Sequence, residues 1–537
     1  MRATNMKKAI LRTQLLLVTL AMLLASTAHA AAPGITGTTF NLTAKPSFVT
    51  QPDGNLIYSW GYGCTSAPEG FAPRSGFGPG TAPLANANCP DMQVPGPTLI
   101  VTAGTTFNVV LTNGLPNAAG NTSILFPGLQ VQATGGVQGL LGKEAVPGGT
   151  VTYQVTVPAS VAGTHAYYSG TQGDLQVEMG LYGAVIVVPA GPPTPACPTR
   201  NQAAGVNNAG TLVAGGEEDY RLATAAYNNS QACYDREYLF QFSEIDPRIH
   251  RQAEEQVAAR ANCTVGSVGC SLNVATEPYV PAYFLVNGRS MPDLMDSNYA
   301  PEYPHQPYNG NPHMHPGDQT LVRVIGQGRW QHPFHEHGNH VRILGRDGNL
   351  ITSSSNPALL AGPLLFTTST TPGQAVDGIF YWTGKGLNWD AYGHHGAPNA
   401  TAFTCTADAN GYYTINPIAI NYYEWCQDHN KPLEKAPFGN VATGGPATLP
   451  DATILANGAW YGGSPYLGPE ATQRAVGFTG TTPPSGTIAN PPTEEAGFAY
   501  MWHSHNEREI TTNNIFPGGM MMMMLVDSRE FPIDESN

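Results

Sequence analysis

His332-Pro-Phe-His335-Glu-His337-Gly-Asn-His340 sets four imidazoles within nine residues. The segment leading into it, Gly317 to Ile325, alternates apolar and polar residues as a half-buried strand does. If the run is extended, His335 and His337 share a face, because side chains two apart on a strand lie on the same side. Two neutral imidazoles on one face chelate a metal, and a stable site needs at least one more ligand. Met501-Trp-His503-Ser-His505 offers it, with the same one-residue spacing on a second predicted strand and the apolar run Met520 to Val526 behind it. Laid side by side, the two strands bring His335, His337, His503 and His505 together.

The rest of the chain suits a sheet protein. It has 537 residues, too many for one ordinary domain, with 61 Gly, 46 Pro and only 12% charged residues. Long Glu/Lys-rich helices are disfavoured, and short strands joined by turns are the natural reading. One helix is expected, at Arg248 to Ala261, which is rich in helix formers.

The N-terminus reads as a secretory signal over residues 1–30. Arg2, Lys7, Lys8 and Arg12 are basic, Leu15 to Leu24 is mostly apolar, and Ala28-His29-Ala30 suits cleavage. The apolar core is short for a bilayer span, and no later segment is long enough either. The expected mature protein is exported, to the periplasm or beyond the cell, without a transmembrane segment. Its formal charge goes from −14 to −18 on removal of those four basic residues, which excludes nucleic acid as a partner held by the global field.

Eight cysteines, at 64, 89, 197, 233, 263, 270, 405 and 426, include no CxxC pair. In an oxidising compartment this favours disulfides over zinc or a reactive thiol. Sequential pairing would staple loops locally, although other connectivities stay open. None of the eight lies beside the histidine motifs.

Residues 31–190 read as one all-β unit of seven or eight short strands, which suggests a sandwich of two sheets. Residues 191–230 read as a linker. Residues 231–537 read as a second β unit that carries both histidine motifs, with a loop-rich insertion at about 384–496.

Several phrases resemble the multicopper oxidase family, whose members are built from cupredoxin domains. Pro95-Gly-Pro-Thr-Leu-Ile-Val-Thr-Ala-Gly104 is similar to an early strand of the family, and Met179-Gly-Leu-Tyr-Gly-Ala-Val-Ile-Val187 to the end of its first domain. Asp235-Arg-Glu-Tyr-Leu239 and Leu285-Val-Asn-Gly-Arg289 resemble the opening of a later domain. The histidine run resembles the HPxHxHG motif, and Trp502-His-Ser-His505 with Gly519-Met520 the HCH motif and terminal Met. The resemblance implies tandem cupredoxin-like Greek-key β-sandwiches with long loop insertions, and copper as the metal. It implies His332 as ligand to a mononuclear electron-entry copper, and His335, His337, His503 and His505 as ligands to a copper cluster.

The chain departs from the family at several ligand positions. Ser504 stands where the thiolate belongs, and a hydroxyl is a harder ligand that keeps its proton near neutral pH. Leu125-Phe-Pro127 and Tyr168-Ser-Gly170 stand where two further histidine pairs belong. A complete relay from substrate through mononuclear copper to cluster therefore cannot be assembled. Three functions compete. One is a copper-dependent oxidoreductase acting on a small molecule such as a phenol or on a metal ion. The second is a non-catalytic holder of copper or another divalent metal, and the third an extracellular interaction module. Assembly into a homo-oligomer stays open.

Smaller readings complete the set. Met520 to Met524 could present soft thioethers to copper(I), but they are expected first as ordinary gap-fillers of a buried strand. Glu336 should face away from its histidine neighbours. His340 is expected as a packed residue of the following strand. Pro312-His-Met-His315-Pro repeats the HxH spacing, as a polar loop or a second metal site. Glu509 becomes a ligand or base only if its loop folds back.

Overall fold

The computed structural model describes residues 32–72, 89–197, 221–315, 318–382, 497–527 and 533, with the backbone of three short strands at 463–466, 472–473 and 488–489. The signal stretch, most of the 384–496 insertion, Cys405 and Cys426, and the histidines at 394, 395 and 429 lie outside the described residues.

Alternation of apolar and polar side chains builds two sandwiches. In Thr150–Thr156 every second residue is buried, and Thr106–Asn113 follows the same rule along the paired strand. The first sandwich pairs a sheet of order Gly163–Tyr168, Tyr182–Val188, Leu99–Thr102, Gly34–Thr36 and Gly70–Ala72 with one of order Leu56–Cys64, Thr39–Thr50, Thr106–Asn113, Thr150–Thr156 and Gln130–Gly135. Trp60, Tyr62, Phe107 and Tyr167 fill the space between them.

In the second sandwich, one sheet runs Tyr283–Val286, Arg236–Ile245, Gln319–Gly326, Ala375–Tyr381, Val341–Arg346 and Asn349–Leu350. The other runs His313–Met314, Met521–Asp527, Gly497–Ser504, Pro333–Glu336 and Thr367–Ser369. Phe240, Phe334, Phe380, Trp502 and the even-numbered methionines from Met520 to Met524 occupy its core. The expected helix forms over Pro247–Ala259, with Pro247 in its first turn and the Asp246 carboxylate accepting the Arg248 N–H at 3.0 Å.

The two sandwiches meet through the first of these last two sheets. Arg323 forks onto Glu237 Oε2 at 2.9 and 2.8 Å and reaches Thr164 Oγ1 of the first sandwich at 3.1 Å. Asp377 accepts the Thr164 N–H at 2.9 Å and the Tyr227 hydroxyl at 2.6 Å. Gln327 Nε2 donates to Gly183 O, and Tyr182 donates to Ser243. The strand that carries His503 therefore belongs to the other layer of the second sandwich.

Cys64–Cys89, Cys197–Cys233 and Cys263–Cys270 are disulfides, in the sequential pattern the spacing suggested. Among the described residues no helix is long and apolar enough to cross a membrane.

Candidate metal centre

Pro333–Glu336 and Gly497–Ser504 are antiparallel neighbours, with Phe334 opposite Ser504, His335 opposite His503 and Glu336 opposite Trp502. Two further bonds extend the ladder, from His337 N–H to Met501 O at 3.3 Å and from His505 N–H to Pro333 O at 2.8 Å. Phe334 and Trp502 point into the core, so the odd-numbered residues of both segments share the other face.

All four histidines expected there come together. Ring centroids lie 4.9 Å apart for His335 and His337, 5.1 Å for His337 and His503, 5.0 Å for His335 and His505, and 5.4 Å for His503 and His505. The rim holds His505, which is exposed, and Phe366, packed edge-on to His335 at 5.6 Å. His340 stands one residue before the Val341–Arg346 strand and packs on the same Phe366 ring.

Burial, followed by the charges that His337, His505 and His503 would carry, pushes the His335 imidazole down to about 4, and burial lowers His503 as well. These two rings are therefore neutral at pH 7, the form that binds metal. Hydrogen bonds orient them. His503 Nδ1 lies 2.7 Å from the Ser504 carbonyl oxygen, to which it donates, and this leaves the lone pair on Nε2. His335 Nδ1 lies 2.8 Å from Thr367 Oγ1.

His503 Nε2 and His337 Nε2 are 3.2 Å apart. Two nitrogens bound to one tetrahedral ion at about 2.0–2.1 Å would stand roughly 3.3 Å from each other. Donor type, protonation and this separation fit a borderline metal such as copper(II). Among the described residues, however, no three His, Cys, Asp or Glu side chains are already disposed about a common metal position. His335 and His503 are adjacent and neutral, and His337 and His505 flank them.

His332 has different company. Its Nε2 lies 3.0 Å from Glu244 Oε2, and its Nδ1 2.9 Å from Glu509 Oε2, the latter without good hydrogen-bond angles. Burial alone would lower its pKa, but the two carboxylates outweigh burial and lift it to about 9. The ring is an imidazolium at neutral pH, which is not a ligand. Ser504 donates its hydroxyl to the same Glu509 oxygen, and Asn506 Nδ2 donates to the other at 2.8 Å. Glu244 is completed by the Arg329 and Trp330 N–H groups at 2.6 and 2.8 Å.

From the sequence, Glu509 could serve as a ligand or base only if its loop folds back. The loop does fold back. Asn506 caps the short 3-10 turn Glu507–Ile510, and the Met520 N–H donates to Glu509 O at 2.8 Å, which anchors the carboxylate beneath His332. The one signal available was Asn506 itself, a residue that favours this capping position.

The other departures from the family pattern hold half-buried residues. Leu125 and Tyr168 are bridged backbone to backbone, and a side chain at Gly170 would collide with Leu125. Glu336 faces away from the histidines, as alternation requires. Buried beside Thr368, with neither oxygen well hydrogen-bonded, its carboxyl is pushed up to about 8. His313 Nδ1 contacts Asp527 Oδ2 at 2.7 Å, and His315 Nδ1 contacts Asp527 O at 3.0 Å, so the HxH repeat ties the last strand in place.

Residues 84–191 match the family model for a multicopper oxidase. Among solved structures, the chain is similar to a blue copper oxidase from Nitrosomonas europaea (14% identity, 91% of this chain and 85% of that one, TM-score 0.43). It is also similar to the multicopper oxidase mgLAC (14% identity, 93% and 88%, TM-score 0.43). A third is a copper nitrite reductase from Nitrosomonas europaea (15% identity, 64% and 84%, TM-score 0.36). No curated protein matches the chain. The resemblance to the multicopper oxidases thus holds as a family match in the first sandwich and as cupredoxin-like architecture in both, with divergence at the ligand positions.

Proposed function

We propose that this chain is an exported, divergent multicopper oxidase-type protein that binds copper through His335, His337, His503 and His505 and acts as a copper-dependent oxidoreductase. The substrate is a small molecule such as a phenol, or an oxidisable metal ion. The observation that supports this reading is the convergence of two same-face imidazole pairs from segments far apart in sequence. His332 is not proposed as a ligand, since Glu244 and Glu509 hold it as a cation.

Bound copper would supply one-electron redox chemistry. The chain's own residues do the rest. Thr367 and the Ser504 carbonyl orient two rings, burial keeps them unprotonated, and the core behind Phe334 and Trp502 fixes the strands that carry them. Ser504 and Glu509 close the position that the resemblance gives to a mononuclear copper, and exposed His505 leaves the imidazole face as the side a small substrate would approach.

That same closure favours a second reading, in which the protein holds copper or another divalent metal without turnover. Metal analysis of purified protein and of His335→Ala/His503→Ala tests both readings. The wild type should carry copper and the double variant should not; equal copper in the two would overturn the site. Oxygen consumption with a phenol, Mn(II) or Fe(II) then separates oxidase from holder.

A further inference from the structure

Met520 to Met524 do not form one group. Met521–Asp527 runs antiparallel to Gly497–Ser504, with His503 opposite Met521 and Met501 opposite Met523. Met520, Met522 and Met524 lie in the core of the second sandwich, whereas Met521, Met523 and Met501 have the opposite parity. Residues directly opposite on neighbouring strands share a face. His335 is opposite His503, and the bond from His337 N–H to Met501 O carries the register one pair further. Two cross-strand rows result: His335, His503, Met521, and His337, Met501, Met523.

Within a row, opposing Cβ atoms stand about 4.5–5.5 Å apart. The rows are one strand repeat apart, roughly 6.8 Å. Three imidazoles and three thioethers thus occupy a patch that flexible methionine side chains can span. Gap-filling accounts for the even-numbered methionines. It does not account for Met501 and Met523, which are half-buried on the outer face and take no part in that core.

We propose that this face binds copper(I) through the thioethers of Met501, Met521 and Met523, with His503 completing the donor set. Thioether sulfur is a soft ligand and selects copper(I), whereas imidazole alone also accepts zinc(II) and copper(II). The three thioethers therefore give the face a preference for the reduced ion that four histidines would not have. The inference shares His503 with the imidazole site proposed above and rests on that reading for this one ligand only.

The test uses the full chain and its Met501→Leu/Met521→Leu/Met523→Leu variant, titrated anaerobically with copper(I) against bathocuproine disulfonate and separately with zinc(II). The triple variant should bind copper(I) at least tenfold more weakly with zinc(II) affinity unchanged. X-ray absorption should show a sulfur ligand in copper(I)-loaded wild type that the variant lacks. Single Met523→Leu, at a half-buried position, should give a smaller loss in the same direction even if the triple variant folds poorly. Met522→Leu, on the core side, should leave copper(I) affinity unchanged. Unchanged copper(I) affinity in the triple variant overturns the proposal, as does an equal loss for both ions or an equal loss in Met522→Leu. Zinc(II) binding that survives His335→Ala/His503→Ala instead overturns the imidazole site and leaves the thioether result to stand or fall by itself.

Discussion

Nδ1 of His332 lies 2.9 Å from Oε2 of Glu509, and both side chains are almost completely buried. The pair occupies the position where the family resemblance would put an electron-entry copper, and it converts a ligand set into an ion-pair network with Glu244, Ser504 and Asn506. Removing one partner of a buried pair leaves the remaining charges uncompensated. Glu509→Leu should therefore cost about 3 kcal/mol of stability in urea unfolding, and Glu509→Gln, whose remaining oxygen can still accept the Asn506 Nδ2–H, clearly less.

Restoring sulfur alone should not restore a blue copper centre. Ser504→Cys loaded with copper(II) is expected to show no intense thiolate charge-transfer band, because His332 stays protonated between its carboxylates. Ser504→Cys/Glu509→His should develop that band. Its appearance in the single variant would show that copper displaces the ion pair.

Stability should fall as pH rises, in two overlapping windows. His332 titrates at about 9 in the folded chain against an ordinary 6.5, so its contribution is complete below pH 6.5 and lost as pH passes 9. That loss is on the order of 3 kcal/mol. Glu336 stays protonated up to about 8 against an ordinary 4.5, so folding weakens from pH 4.5 to 8 as only the unfolded chain ionises. This second loss is up to about 5 kcal/mol. Urea midpoints measured from pH 5 to 9.5 should flatten below pH 6.5 in Glu336→Gln, where only His332 still titrates, and above pH 8 in His332→Gln, where only Glu336 does. Slopes that survive both substitutions would assign the effect to other groups.

The Thr367 hydroxyl lies 2.8 Å from His335 Nδ1. Thr367→Val keeps the shape and removes the bond, so metal affinity should drop about tenfold with little change in unfolding midpoint. Equal affinity would mean that strand packing alone sets the His335 ring.

What could be read beforehand was whatever period two dictates. The strands around His335 and His503, their shared face and the inward turn of Glu336 follow from alternation alone. The fate of His332 could not be read, because it depends on Glu509 and Glu244, which meet it across a capped turn and a neighbouring sheet. The division of Met520 to Met524 was hidden for a related reason. A run of identical side chains has no pattern until its partner strand sets the register.

That register also bears on how the chain can change over time. In Gly497–Ser504, Phe498, Tyr500 and Trp502 support the interior while Met501 and His503 lie on the proposed donor face, and from Tyr500 to His503 the two sets alternate without a spare position. Loss or gain of one residue before Phe498 would have to be absorbed upstream of the strand, because a slip inside the strand turns aromatic rings outward and imidazoles inward together. Length variation in this lineage should therefore collect in the connecting segments, and the donor face should persist only as long as the hydrophobic interior behind it does.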